Sequence, residues 1–330
     1  MNLYLTILLF WAIFDIPYLI YRVALHFYYK RKIKLTNYPL VSILIPAYNE
    51  ELTIEKTLIS CLYQSYNNIE IIVINDGSTD NTINRVKELH NRYINFLNKH
   101  NIIFKLLNQQ NKGKAKALNY GKEHAKGDII VTIDSDSYLH HHAIFNILKY
   151  FDKDDVGAVA GNIVAISRSK LLGAVQKIEY ELGSHFVRES EGVLGNVLVT
   201  PGAFSAYRKK ALKKFEIGTL TEDFDTSVRI LERNYRVLMA HDAICYTQVP
   251  LNVNDLIKQR IRWQQGGLEV FAKHLTHKKR ISVSLEWFAL FFFGFYGLFA
   301  RLISFIIVPM FVLEKSPNIA LNIILLFFVY

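Results

Sequence analysis

Hydrophobic and polar positions divide the chain into three stretches of different texture. Leu3 to Ile20 is almost continuously apolar, with Asp15 its one charge, and the apolar character runs on to about Tyr29. A second apolar stretch covers about Leu285 to Leu313, and a third, "IALNIILLFFVY", closes the sequence. A helix rises about 1.5 Å per residue, so each of the first two is long enough to cross a hydrocarbon layer about 30 Å thick. The third is too short to return across it, which reads as a chain lacking its natural C-terminal part, with an interfacial helix as the alternative. Between the first two stretches, short apolar runs alternate with polar, helix-like segments.

"LVSILIPAYNE" is a β-branched apolar run ending in Pro and polar residues, the pattern of a buried strand and its loop. A helix-like stretch follows over about Glu51 to Gln64. "IEIIVINDGSTD" is a second strand ending in turn residues, where Ser78 or Asp80 is placed to cap a helix over Thr82–Lys99. "IIFKLLN" and "GDIIVTIDSDS" supply two more strands, with "KAKALNYGKEHA" helical between them. Beyond about residue 150 the pattern is mixed, with strands near Val156–Ala165 and Val237–Tyr246. Strand alternating with helix predicts an α/β fold with a mainly parallel sheet covered on both faces. Ligands of such sheets collect at the carboxyl ends of the strands, and Asp76, Asp134 and Asp136 fall at such ends. No repeat or low-complexity linker interrupts this region, so it reads as one domain over 39–275. It is flanked by 1–38, a transmembrane helix with its basic edge, and by 276–330, interfacial or transmembrane helices.

Charge fixes the orientation of that layout. The 330 residues carry a formal net charge of +10, and much of the excess sits beside the apolar stretches, in "YYKRKIK" and "KHLTHKKR". By the positive-inside rule these edges are cytoplasmic. The expectation is a multi-pass protein of the cell (plasma) membrane with its N-terminus outside and its main domain cytoplasmic. The lipid bilayer is then one partner, and nucleic acid is not. A cleaved signal peptide is disfavoured, because a basic n-region and an A-x-A site are both missing. Cys61 and Cys245 have no zinc-ligand spacing and are too few for a disulfide framework, so they read as buried thiols in a reducing compartment. Asp15 and Arg301 lie inside apolar stretches, where charge is costly; they either face one another or a polar path, or snorkel to an interface.

Four segments hold candidate chemistry. "DSD" at 134–136 ends an apolar strand; in extended backbone residues i and i+2 share a side, so both carboxylates can face one ligand. Two hard oxygen donors suit Mg²⁺ or Mn²⁺, although the same pattern occurs in solvated loops. "NKGKAKALN" places Lys112, Lys114 and Lys116 ahead of a helix, as a phosphate site or as an exposed basic face. "LTEDFDTSVRILERNYRV" (220–237) begins with acids that complement a helix dipole whatever else they do. In "KQRIRWQQGG" (258–267), if helical, Gln259, Arg262 and Trp263 stand at i, i+3 and i+4 and share a face. That face offers an amide, a guanidinium fork for phosphate and an aromatic platform for a sugar, or else a basic surface with one buried Trp. Gly266 and Gly267 would admit a close neighbour. His140–His142 read as a solvated helix start.

The ordered set "PAYNE", "NDGSTD", "KGKAKALN", "DSDS", "TED" and "QRIRW" resembles the processive family 2 glycosyltransferases, the membrane synthases of cellulose, chitin, hyaluronan and poly-N-acetylglucosamine. The resemblance covers about residues 40–270; the last two motifs together are specific, and the first four also occur in non-processive relatives. "QRIRWQQGG" and the compact chain look most similar to bacterial poly-β-1,6-N-acetylglucosamine synthases. The resemblance implies a GT-A fold, a UDP-sugar donor (UDP-GlcNAc), a growing polysaccharide acceptor, a Mg²⁺ or Mn²⁺ cofactor and a small membrane partner subunit. It assigns Ala47, Tyr48, Glu50, Asp76, Lys114 and Asp134 to the nucleotide-sugar and Asp136 to the metal. Asp223 becomes the general base, Glu222 and Trp263 acceptor contacts, and Gln259 and Arg262 diphosphate contacts. Asn75 departs from the family, standing where an acid is frequent. The competing readings are a non-processive transferase acting on a membrane lipid and a membrane sensor that binds nucleotide-sugar or glycan without turnover.

Overall fold

The computed structural model describes residues 16–28, 35, 38–276, 283, 284, 286 and 287. The chain divides into two compact units, Met1–Ala24 with Ile281–Tyr330, and Leu25–Arg280. Within the first, Arg22 and Glu286 are almost fully buried and pair with each other, and Arg22 also donates to Tyr18 Oη at 2.8 Å. Among the described residues no helix is long and apolar enough to cross a membrane; helix α1, Ile16–Tyr28, has 13 residues. Asp15, Arg301, most of both expected spans and the closing apolar run lie outside the described residues.

The second unit is built on one eight-stranded sheet. Its first half follows the sequence expectation: β1 (Val41–Ala47), α2 (Ile54–Leu62), β2 (Ile69–Asp76), α3 (Thr82–Lys99), β3 (Ile103–Gln109), α4 (Lys114–His124) and β4 (Ile129–Ile133). These four strands run parallel in the order β3-β2-β1-β4. Every position of β1, β2 and β4 is buried, because helices cover both faces of the sheet. Alternate residues serve the two faces. Ile43, Ile45, Ile71 and Val73 join the core formed with Leu58 and Val86 of α2 and α3. Leu44 and Ile74 meet Gly121 of α4, where a Cβ would stand 2.7 Å from Ile74.

The second half corrects the expectation of a mainly parallel sheet. It comprises β5 (Ser137–Leu139), α5 (Ala143–Leu148), β6 (Val156–Ile166), α6 (Leu171–Glu181), α7 (Glu189–Leu194), β7 (Phe204–Arg208), α8 (Glu222–Glu232), β8 (Arg236–Gln248) and α9 (Val253–His274). The strands continue as β4-β7-β6-β8-β5. β7 is antiparallel to both β4 and β6, β5 is antiparallel to β8, and only β6 and β8 run parallel, so the whole sheet is mixed. A π-helical turn, Leu182–Arg188, joins α6 to α7. The carboxyl ends of β1, β2 and β4 open on one side, and the candidate residues gather there.

Candidate active site

Two loops interlock at the ends of β1 and β2. Asn49, at φ 56°, accepts from Thr79 N at 2.8 Å, while its own N–H donates to Ser78 Oγ at 3.1 Å. Asp80 accepts from Glu51 N at 3.2 Å and Thr82 N at 3.0 Å. The N-cap of α3 is Asn81 rather than Ser78 or Asp80; Asp80, one residue earlier, satisfies an orphan amide of the first turn, and Ser78 holds the facing loop. Ala47 is buried beneath this knot, and Tyr48 is 47% exposed above it. Gly77 turns the chain at φ 78°, where a Cβ would meet Asn111 N at 2.6 Å.

Asp76 is 4% exposed and accepts three hydrogen bonds: from Gln109 Nε2 (2.6 Å), Lys112 N (2.9 Å) and Gly113 N (2.9 Å). Its carboxylate shapes the loop that delivers α4 and Lys114. Asn75 fits beside it by accepting from Ser78 N (3.1 Å) and donating to Asn108 Oδ1 (3.2 Å), which explains how an amide serves at this position.

Lys114 joins the two halves of the sheet. Its Nζ lies 2.5 Å from Asp134 Oδ1, after β4, and 3.2 Å from Glu222 Oε1, at the start of α8. β4 stops at Ile133, so Asp134–Asp136 form a turn rather than the extended run expected, with Ser137 N donating to Asp134 O at 3.0 Å. Thr57 of α2 ties that turn down through Ser135 O at 2.8 Å. Burial and then the neighbouring Asp134 charge push the Asp136 carboxyl up. Glu50 is raised as well, by burial first, with Asp136 and Asp134 adding to it against a hydrogen bond from Thr53. Burial alone would lower the Lys114 ammonium, but Asp134, Glu222 and Asp223 outweigh it and raise the group.

Asp223 is gripped by backbone, accepting from Gly202 N and Phe224 N at 2.8 Å each. Burial and the adjacent Glu222 charge nonetheless push its carboxyl up to about 6, against the pull of Lys114. Among the described residues no cluster of three or more His, Cys, Asp or Glu side chains is placed to hold a metal ion.

Helix α9 carries the remaining candidates, and Trp263 and the neighbouring Arg260 join it to α6, with the Trp263 and Tyr180 ring centroids 6.4 Å apart. Arg260 lies 4.2 Å over the Trp263 ring, pairs with Glu179 at 2.6 Å and donates to Gln259 Oε1 at 3.1 Å. Trp263 is 37% exposed, and Arg262 is exposed. The helix nevertheless docks next to the catalytic candidates. A Cβ on Gly266 would stand 2.6 Å from Thr221 Cγ2, immediately before Glu222, so glycine is what permits this approach.

Comparison with known proteins supplies the family. The sequence matches Glycosyl transferase family 2 over residues 42–215, more than half the chain, and Glycosyl transferase family group 2 over residues 129–330. The chain belongs to glycosyltransferase family 2. It is 33% identical to the poly-β-1,6-N-acetyl-D-glucosamine synthase of Staphylococcus aureus (strain COL) over 284 residues, 82% of this chain and 67% of that protein. The Staphylococcus epidermidis synthase of the same name is 34% identical over 238 residues, covering 71% of this chain and 56% of its own length. The fold is that of the mannosyltransferase PcManGT from Pyrobaculum calidifontis, solved with GDP-Man and Mn²⁺: TM-score 0.70, 22% identity, 92% of this chain and 89% of that one. S. aureus TarS 1–349 superposes with TM-score 0.52 and 18% identity over 77% of this chain and 72% of TarS. This family 2 member is accordingly a glycosyltransferase, similar to bacterial poly-β-1,6-N-acetylglucosamine synthases.

Residues that belong to none of the sequence motifs also surround Asp223. Gly202 gives its N–H to Asp223, Thr200 Oγ1 reaches Asp223 O at 3.4 Å, and Tyr207 Oη lies 3.0 Å from Thr200 Oγ1. Burial lowers the Arg188 guanidinium, and the charges of Glu191 and Asp223 act on it in the opposite sense. These residues carry no motif; the segment before β7 reaches Asp223 only through the antiparallel insertion of β7 between β4 and β6.

Proposed function

We propose that this family 2 glycosyltransferase is a membrane-bound, inverting polymerase that transfers N-acetylglucosamine from UDP-GlcNAc to a growing β-linked polysaccharide. The observation that carries the reading is Asp223, held by two amides within reach of the Lys114–Asp134–Glu222 cluster and raised to about 6. The similarity to poly-β-1,6-N-acetyl-D-glucosamine synthases supports the donor and the polymer. The apolar stretches at Leu3–Ile20 and Leu285–Leu313 support membrane spans that flank a cytoplasmic 39–275 domain; a small membrane subunit as partner rests on the family resemblance alone.

In this mechanism Asp223 removes the proton of the acceptor hydroxyl, whose oxygen bonds to the anomeric carbon as the bond to the diphosphate oxygen breaks. One displacement inverts the centre, so an α-linked donor yields a β-linkage and UDP leaves with the bonding pair. Ala47, Tyr48, Glu50 and Asp76 shape the pocket for the nucleoside, and Lys114 and Arg262 offset charge on the departing diphosphate. Gln259, Glu222 and Trp263 orient the acceptor end and the diphosphate. Asp134 and Asp136 would hold Mg²⁺ or Mn²⁺: two hard oxygen donors, with the Asp136 carboxyl raised by burial and by the Asp134 charge, suit an ion that takes its other ligands from diphosphate and water. Such an ion supplies charge neutralisation at the leaving group.

The test is to incubate membranes containing the protein with a panel of UDP-sugars and digest the product with linkage-specific glycosidases. UDP-GlcNAc should yield a long product cut by a β-1,6-specific glycosaminidase. A single-sugar lipid would establish the non-processive alternative, and another donor or linkage would overturn the polymer assignment.

A further inference from the structure

A half-open cavity of about 390 Å³ lies at the β5–β8 edge of the sheet, on residues that none of the roles above involve. One side is the pair Tyr138 and Tyr246, register partners across the two strands, with ring centroids 5.1 Å apart and planes 27° from parallel. The Lys56 ammonium sits 3.5 Å from the Tyr138 ring centroid and helps fix that ring. The other side is α6, where Lys177, Tyr180 and Glu181 stand at i, i+3 and i+4 on one face.

Two contacts join this cavity to the site. Ser137 Oγ hydrogen-bonds Asp136 Oδ1 at 3.1 Å and Thr247 Oγ1 at 2.9 Å, which ties the Asp134–Asp136 turn to the strand that carries Tyr246. At the other end the Tyr180 ring centroid is 6.4 Å from that of Trp263 on α9. The cavity is therefore one residue removed from the turn assigned to the sugar-nucleotide, through Ser137, and from the aromatic assigned to the acceptor, through Tyr180.

Its chemistry narrows the occupant. One cation and one anion face it, so the lining has no net charge to attract a diphosphate. Three tyrosines give apolar ring faces with polar tips, which match a sugar ring bearing C–H faces and hydroxyls. Its volume falls within the roughly 300–1,000 Å³ of small-molecule sites.

We propose that the Tyr138–Tyr180–Tyr246 groove is a glycan subsite that holds a sugar unit of the acceptor chain behind the one being extended. The inference rests on the polymerase reading and adds to it a second grip on the polymer. A neutral chain held there stays beside the site between additions, so the groove serves chain length rather than the transfer step.

The experiment uses the full chain in detergent and a β-linked N-acetylglucosamine pentasaccharide as probe. Equilibrium binding without UDP-sugar is measured alongside acceptor and donor KM. Tyr246→Ala and, from the opposite side, Tyr180→Ala should each weaken pentasaccharide binding and raise acceptor KM about tenfold, equivalent to about 1.4 kcal/mol. The donor KM should not follow, and Tyr246→Phe, which keeps the ring, should restore the wild-type values. Wild-type binding in both alanine variants, or no binding by the wild type, overturns the groove. Tyrosine-dependent binding by a wild type that transfers no sugar supports the groove and defeats the polymerase reading.

Discussion

At the scale of single residues, Asp223 is a balance of charges. Burial and Glu222 push its carboxyl up to about 6, and Lys114 pulls it down. As a base it works ionised, so kcat/KM should rise as pH climbs through that value. Glu222→Gln removes the neighbouring negative charge and should move this acid limb to lower pH. A pH profile of UDP release for the two proteins checks it, and an unmoved limb would show that Asp223 is not the group being titrated. Lys114, Asp134 and Asp136 stand at a helix start and a strand end, local features that the sequence displays, whereas spacing alone gave Asp223 only a helix-dipole role and the family resemblance alone suggested it as a base. Gly202, Thr200 and Tyr207 were not legible, because only long-range packing turns an ordinary backbone amide and two hydroxyls into the setting of Asp223.

At the scale of elements, α8 and α9 are locked by a buried ionic cluster. His274, fully buried, lies 2.7 Å from both Asp225 Oδ1 and Glu232 Oε1, through different ring nitrogens, and Lys273 pairs with Asp225 at 2.7 Å and Glu216 at 3.2 Å. Only an imidazolium donates from both nitrogens. Burial would lower the His274 value, but the hydrogen bonds to Asp225 and Glu232 and their charges raise it above the ordinary 6.5. The raised folded value makes this stabilisation complete below the unfolded pKa of about 6.5 and loses it as pH rises through the folded value. Thermal unfolding midpoints should therefore fall with rising pH in the wild type. His274→Gln removes the buried cationic partner of Asp225 and Glu232, a loss that costs about 3–5 kcal/mol, and should lower the midpoint at pH 6 and flatten that dependence. Identical pH dependence in both proteins would remove His274 from the account. The helical face of Gln259, Arg262 and Trp263 could be read from spacing, whereas the docking of α9 through Gly266 and His274 could not, since neither partner is near in sequence.

At the scale of the molecule, the parallel half of the sheet was legible because strands covered on both faces are continuous apolar runs: β1, β2 and β4 are buried at every position. The antiparallel half was less so. β7, "FSAYR", carries Ser and Arg and has no apolar run, yet Phe204 to Tyr207 are buried because β4 and β6 flank the strand on its two sides. That insertion brings the segment before β7 and the start of α8 to the carboxyl end of β4, and so creates one site from both halves. If Asp223 performs the proton transfer there, Asp223→Asn should bind UDP-GlcNAc almost as the wild type does and yet make at least about 10²-fold less labelled polymer in membranes, the loss expected for a general base. Wild-type polymer yield from Asp223→Asn would show that another group takes the proton.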